Sequence, residues 1–186
     1  IPTGGAPTFA SPNNAPQNFM NVVNEWKMSG GVVDPNSRRQ IVSFGIATSL
    51  PHGADGDQVL EKGQAILVDT GTCIDGYHSD LTRSYTIDEP SADYARMWQA
   101  EREAQQAVFD AAQIGAECQS LDDAARSVLA RPGLGPDYRL PGLPHRAGHG
   151  LGLEIHEEPY VVRGNKTPLR SGMCFSNEPM IVVPGQ

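Results

Sequence analysis

Positive charge is scarce in this chain of 186 residues: 14 Lys and Arg stand against 22 Asp and Glu, a formal net charge of −8. A phosphate-binding surface needs clustered Lys and Arg, so a nucleic-acid partner is not expected. Long apolar runs are also missing. Nothing approaches the ~20 residues of a membrane span, so no membrane role is expected either. Cysteine is sparse, and Cys73, Cys118 and Cys174 are odd in number and far apart. That argues against a disulfide framework or a CxxC metal knuckle. Three reduced, mostly buried thiols are expected instead, and with them a cytoplasmic setting. The first residue is Ile1, so the chain reads as processed or partial, and it carries no signal-peptide pattern.

What remains is ordinary for a globular domain, 39% hydrophobic and 19% charged, long enough for one buried core and too short for two. The surplus acids serve either a cation site or a solvated surface. Residues 1–18 are rich in Pro, Gly and Asn without periodicity, which predicts a linker ahead of one domain over 19–186. Phe19, Val22, Val23 and Trp26 fall at helical spacing and predict a short helix to Lys27. Arg39 to Ser49 alternates and predicts a strand, and the apolar run from Gln64 to Thr70 predicts a buried one.

Ser91 predicts the cap of a helix through Tyr94, Met97, Trp98, Ala104 and Val108, stopped at Gly115. Ser120, with Asp123 three residues on, predicts the cap of a second helix ending before Pro132. Residues 132–144 read as loop, and Met173 to Glu178 as strand-like. Strands, then helices, then strands make an α+β fold.

Two aspartates gain meaning from a turn. Asp75-Gly76 is a dipeptide preferred in two-residue hairpins. With those residues in the turn, Asp69 faces Thr82 and Asp80 faces Gly71. Side chains alternate along a strand, so Asp69 and Asp80 become diagonal neighbours on one face, about 7–8 Å apart at Cα. Converging carboxylates repel unless a cation or a proton lies between them. The simpler alternative has one aspartate capping a turn and the other paired with Arg83, and the segment alone leaves both open.

Histidines cluster further on. His145, His149 and His156 lie in PHRAGHGLGLEIHEEP, and His52 lies in SLPHGADGD. Each alone is more simply an ordinary histidine. Three close together among Gly148, Gly150 and Gly152 suit a site in which backbone approaches closely and imidazole meets a dication. His78, beside the hairpin turn, reads as surface. Glu178 stands at a strand end, where Pro179 stops ladder pairing. Glu154, Glu157 and Glu158 read as surface or supporting acids.

In order, PHG at 51–53, DTG at 69–71, SDLTRS at 79–84, GHGLGLEIHEEP at 148–159 and NEP at 177–179 resemble the metallopeptidases that include prolidase, aminopeptidase P and methionine aminopeptidase. LPGLPHRAGHG and SNEPM look most like the bacterial Xaa-Pro peptidases. The resemblance implies a pita-bread fold, a curved antiparallel sheet flanked by helices. It implies that Asp69, Asp80, His149 and Glu178 are metal ligands for two divalent ions, Mn²⁺, Co²⁺ or Zn²⁺. It further implies that His52, His145 and His156 line the substrate site, and that Glu178 shuttles the proton of the attacking water. The implied substrate is a peptide with proline at the second position, cleaved before that proline by a dipeptidase or an aminopeptidase. Homodimers are common in the family.

The chemistry suits these residue types. Two close dications sharing carboxylates make hydroxide available near neutral pH, and a donor aimed at the developing oxyanion is worth about 2.7–4 kcal/mol. The sequence also departs from the family. A second, bridging glutamate expected soon after Glu178 does not occur before Gln186, and the usual EPG is Glu178-Pro179-Met180. The N-terminal domain of such peptidases is largely or wholly absent, so an incomplete catalytic unit is expected. Two alternatives remain: a metal-dependent lyase or hydrolase of a small non-peptide substrate, and a non-catalytic binding module.

Overall fold

The computed structural model describes residues 39–50 and 58–185. The expected linker at 1–18, the expected helix at 19–27 and His52 lie outside the described residues.

The hairpin forms around the turn that its dipeptide predicts. Asp75 and Gly76 both take positive φ, 50° and 87°, the combination that a tight primed turn requires. The register follows: Ile74 faces Tyr77 and Cys73 faces His78, and further along Thr70 faces Leu81 and Asp69 faces Thr82. Four strands result, β2 (Ala65–Gly71), β3 (Cys73–Ile74), β4 (Tyr77–His78) and β5 (Leu81–Thr86), and β2 is also flanked by a strand earlier in the chain, Arg39–Phe44, here β1. Regular pairing stops one pair short of the expected Gly71–Asp80 partnership and resumes at Cys73–His78. At the interruption the two chains pinch together: Ser79 N–H donates to the Thr72 carbonyl at 2.8 Å. A Cβ on Gly71 would lie 2.2 Å from the Ser79 carbonyl oxygen, so only glycine fits.

Several sequence expectations shift. The strand expected through Ser49 ends at Phe44, because Gly45, with φ of 54°, turns the chain into a short 3₁₀ segment over Gly45–Ser49. The β2 strand is half-buried along its length, not buried. Of the cysteines only Cys118 is buried, while Cys73 is partly covered and Cys174 exposed. His78, expected at the surface, is half-buried, its N–H bonded to the Gly152 carbonyl at 2.7 Å.

Helix α1 (Ala92–Ala111) starts as predicted, with the Ser91 hydroxyl accepting from Tyr94 N–H at 3.1 Å. It ends before Gly115. Helix α2 (Cys118–Leu129) begins earlier than the Ser120 cap predicts. Its first N–H groups are satisfied from outside, Cys118 by the Thr167 carbonyl at 3.0 Å and Gln119 by the Asn165 carbonyl at 2.8 Å. The Ser120 hydroxyl instead donates to the Glu117 carbonyl. α1 and α2 pack on each other, and Ala104, Val108, Leu121, Ala125 and Leu129 form the core with Leu143, Ala147, Val161 and Leu169 from the chain beyond.

That later chain supplies β6 (Gly148–Gly150) and β7 (Glu157–Val161), an antiparallel pair. The segment read as strand-like, 173–178, forms no regular strand but runs along the other edge of β6. Phe175 bridges Gly150, Ser176 N–H donates to the His149 carbonyl at 2.7 Å, and Glu178 N–H to the Ala147 carbonyl at 2.9 Å. No helix among the described residues is long and apolar enough to cross a membrane.

Candidate metal centre

β6 is the centre of the site because its neighbours press on it from both sides. A Cβ on Gly148 would lie 2.1 Å from the Ser176 carbonyl oxygen, and one on Gly150 would lie 2.3 Å from that of Glu158. Glycine at both positions lets two backbones close around His149, whose ring is 2% exposed. The cluster of small residues in the sequence has this physical cause.

Three segments far apart in the chain converge at that ring. His149 Nε2 lies 2.9 Å from Glu178 Oε1 and 3.4 Å from Asp80 Oδ2. Asp80 comes from the pinched end of the hairpin, and Glu178 from the segment beside β6. One donor atom from each of the three lies within 4.8 Å of the others. The other ring nitrogen, Nδ1, is 3.0 Å from the Gly150 carbonyl, which can only accept. Nδ1 therefore carries a proton and Nε2 faces the carboxylates, the tautomer and orientation of an imidazole metal ligand.

The electrostatics agree. Burial lowers the His149 pKa, but hydrogen bonds to Asp80, Glu178 and the Gly150 carbonyl outweigh it and raise the value to about 9. Two carboxylates directed at Nε2 favour positive charge there, and a dication meets that demand as a proton does. One imidazole and two carboxylates form a donor set suited to manganese, cobalt or zinc. The residues present fit a divalent metal.

A profile of metallopeptidase family M24 matches residues 19–186. The probable dipeptidase PepE of Mycobacterium tuberculosis is 46% identical over 151 residues, covering 78% of this chain and 39% of that protein. The Xaa-Pro dipeptidase of Lactobacillus helveticus is 38% identical over 159 residues, covering 86% of this chain and 42% of its own length. The crystal structure of the prolidase from Pyrococcus furiosus superposes with a TM-score of 0.72 at 34% identity, over 78% of this chain and 42% of that one. The chain belongs to metallopeptidase family M24. Its α+β fold is the pita-bread type of the prolidases, and it spans about two-fifths of the length of these relatives.

Within this M24 chain the expected site residues divide. Asp80, His149 and Glu178 come together as anticipated. His156 joins them: it is exposed, and its ring meets the His149 ring edge-to-face at 4.3 Å. Asp69 stands opposite Thr82 on β2, in the predicted register, but is not one of the three converging donors. His145 turns toward the backbone, with Nδ1 2.6 Å from the Arg146 carbonyl and Nε2 3.4 Å from Met180 Sδ. Glu154 and Glu158 are exposed and Glu157 is half-buried.

Sequence reasoning missed Ser176. Its hydroxyl accepts from His149 N–H at 3.0 Å and reaches Glu178 Oε1 at 3.1 Å, coupling two of the converging residues. The signal was the two-residue spacing of 176 and 178, which puts both side chains on one face of an extended segment.

Proposed function

We propose that this chain forms the metal-binding core of an M24 peptidase that hydrolyses the peptide bond preceding proline. The observation that carries the reading is the convergence of Asp80, His149 and Glu178 from three distant segments. The proline preference is supported by relatives named Xaa-Pro dipeptidase and prolidase.

In this reading His149 offers Nε2, held in its tautomer by the Gly150 carbonyl. Asp80 and Glu178 offer carboxylate oxygens. Asp69, diagonal to Asp80 in the register the turn predicts, would extend the donor set to two ions of Mn²⁺, Co²⁺ or Zn²⁺. Held by these residues, a dication would supply Lewis-acid polarisation of the scissile carbonyl and hydroxide near neutral pH.

The remaining steps belong to the chain itself. Glu178, the most open of the three with 31% of its side chain exposed, takes the proton of the attacking water and delivers it to the departing amine. His156, exposed beside His149, donates toward the carbonyl oxygen as negative charge develops there. The family resemblance alone would add His145 and His52 to the substrate-lining set.

Elemental mass spectrometry on purified protein tests the reading directly. The expected result is bound transition metal in the wild type that falls in both Asp80→Asn and His149→Ala, together with hydrolysis of Xaa-Pro peptides by the metal-loaded full-length protein. Retention of metal by both variants would falsify the ligand assignment, and intact Xaa-Pro peptides after loading would remove the substrate assignment.

A further inference from the structure

Helix α2 carries a charge pair that none of the chemistry above uses. Asp122 is fully buried and Arg126 is 9% exposed. Arg126 Nε donates to Asp122 Oδ2 at 2.7 Å and Nη2 reaches Oδ1 at 3.3 Å, one helical turn apart. An Asp and an Arg at that spacing ordinarily sit on a solvated helix face, where such a pair is worth about 0.3–0.5 kcal/mol. Here both are inside.

Their remaining valences leave the helix. Arg126 Nη1 donates to the Leu143 carbonyl at 3.1 Å and to the Asp137 carbonyl, and Nη2 donates to the His145 carbonyl at 2.7 Å. Asp122 Oδ1 accepts from Ala147 N–H at 3.1 Å. Every one of these backbone groups lies on the stretch that leads into β6. The stretch ends two residues later at His149, and the carbonyl of Ala147 holds Glu178 N–H. Two side chains on one helix thus grip the backbone immediately before one ligand and, through Ala147, the backbone of another.

We infer that Asp122 and Arg126 are positioning residues for the metal centre, fixing where His149 and Glu178 stand. A buried ion pair is weak evidence for stability, since its desolvation cost offsets its attraction, and apolar replacements are often neutral. Direction is what the pair supplies. A planar guanidinium with five donors in a rigid fork can make all five of these contacts at once, and an ammonium with three donors cannot. The role rests on the metal-ligand reading of Asp80, His149 and Glu178.

Two variants separate positioning from folding: Arg126→Lys, which keeps the charge beside Asp122 but loses the fork, and Asp122→Leu combined with Arg126→Met, which replaces the pair by apolar groups. Each is titrated with Co²⁺ alone by calorimetry. The visible absorption of bound Co²⁺ reads ligand geometry, and thermal melting before metal addition reads the fold. The expected result is a folded protein whose melting temperature falls because backbone partners of Arg126 are lost, with Co²⁺ affinity lower by about ten- to a hundredfold, the range for lost supporting contacts, and an altered Co²⁺ band. Wild-type affinity and spectrum in a folded variant overturn the positioning role alone. Unfolding of both variants also overturns it, assigning the pair to stability. A wild type that takes up no Co²⁺ sinks the metal-centre reading itself, and the positioning role with it.

Discussion

The two halves of this chain hold their share of the site by different means. The helical half, from α1 to Val182, is packed: its core residues are buried together, and His149 sits among backbone carbonyls that fix its position. The hairpin half is thin. In the β1–β2–β5 sheet no described hydrophobic residue is buried, and the sheet's one fully buried described side chain is Ser43. Its geometry comes from a turn, a ladder and a pinch at Gly71. The packed half therefore sets ligands by tertiary contact, whereas the hairpin half sets Asp80 by local chain geometry. The site lies across the seam, so its integrity depends on the weaker side.

The largest expected effect tests the contrast in packing. Leu121→Ala, at a fully buried position on α2, should cost about 2–5 kcal/mol. Leu67→Ala on the half-buried β2 should cost well under half as much. Urea denaturation of both variants measures the gap, and equal costs would erase the distinction between the halves.

Next come the two tight glycines. A Cβ at Gly148 or at Gly71 would meet backbone at 2.1 and 2.2 Å respectively. Gly148→Ala is trapped between packed segments and should cost about 1–3 kcal/mol or more. Gly71→Ala can relax by displacing an exposed hairpin tip, so its thermal midpoint should fall less. A Gly71→Ala protein as unstable as Gly148→Ala would mean that the hairpin is held more rigidly than its exposure suggests.

The smallest effect concerns Glu101 on α1. Burial pushes its carboxyl up from 4.5 to about 7. The folded state then holds a proton that the unfolded state has already released, so the contribution of Glu101 is most favourable below about pH 4.5 and is lost as pH rises through 7. Glu101→Gln should match wild type near pH 4.5 and exceed it at pH 8 by about 1–2 kcal/mol, allowing for partial solvent screening. Melting curves of both proteins at the two pH values suffice, and an advantage over wild type no larger at pH 8 than at the acid end would remove the burial cost.

The ligand set was legible from the order of family motifs, and part of its geometry from local rules. Asp75-Gly76 specified the hairpin register residue by residue, and the glycines around His149 announced close backbone approach. The start of α2 was not legible, because its first donors are met by carbonyls at 165 and 167 and not by a neighbouring side chain. Asp122 and Arg126 were hidden for a related reason. Their spacing describes a common surface pair, and only the folded chain puts them under the strap before His149. Positions governed by neighbours in sequence can be read, and positions governed by remote segments cannot.

The converging donors stand at 80, 149 and 178, each on a separate stretch of chain. An unfolded chain holds no such trio, so a cation would bind the folded form alone. Mass action then makes the ion a staple across the seam, adding about 2.7 kcal/mol at a hundred times its dissociation constant. The half with the least packing would gain the most from such a clamp.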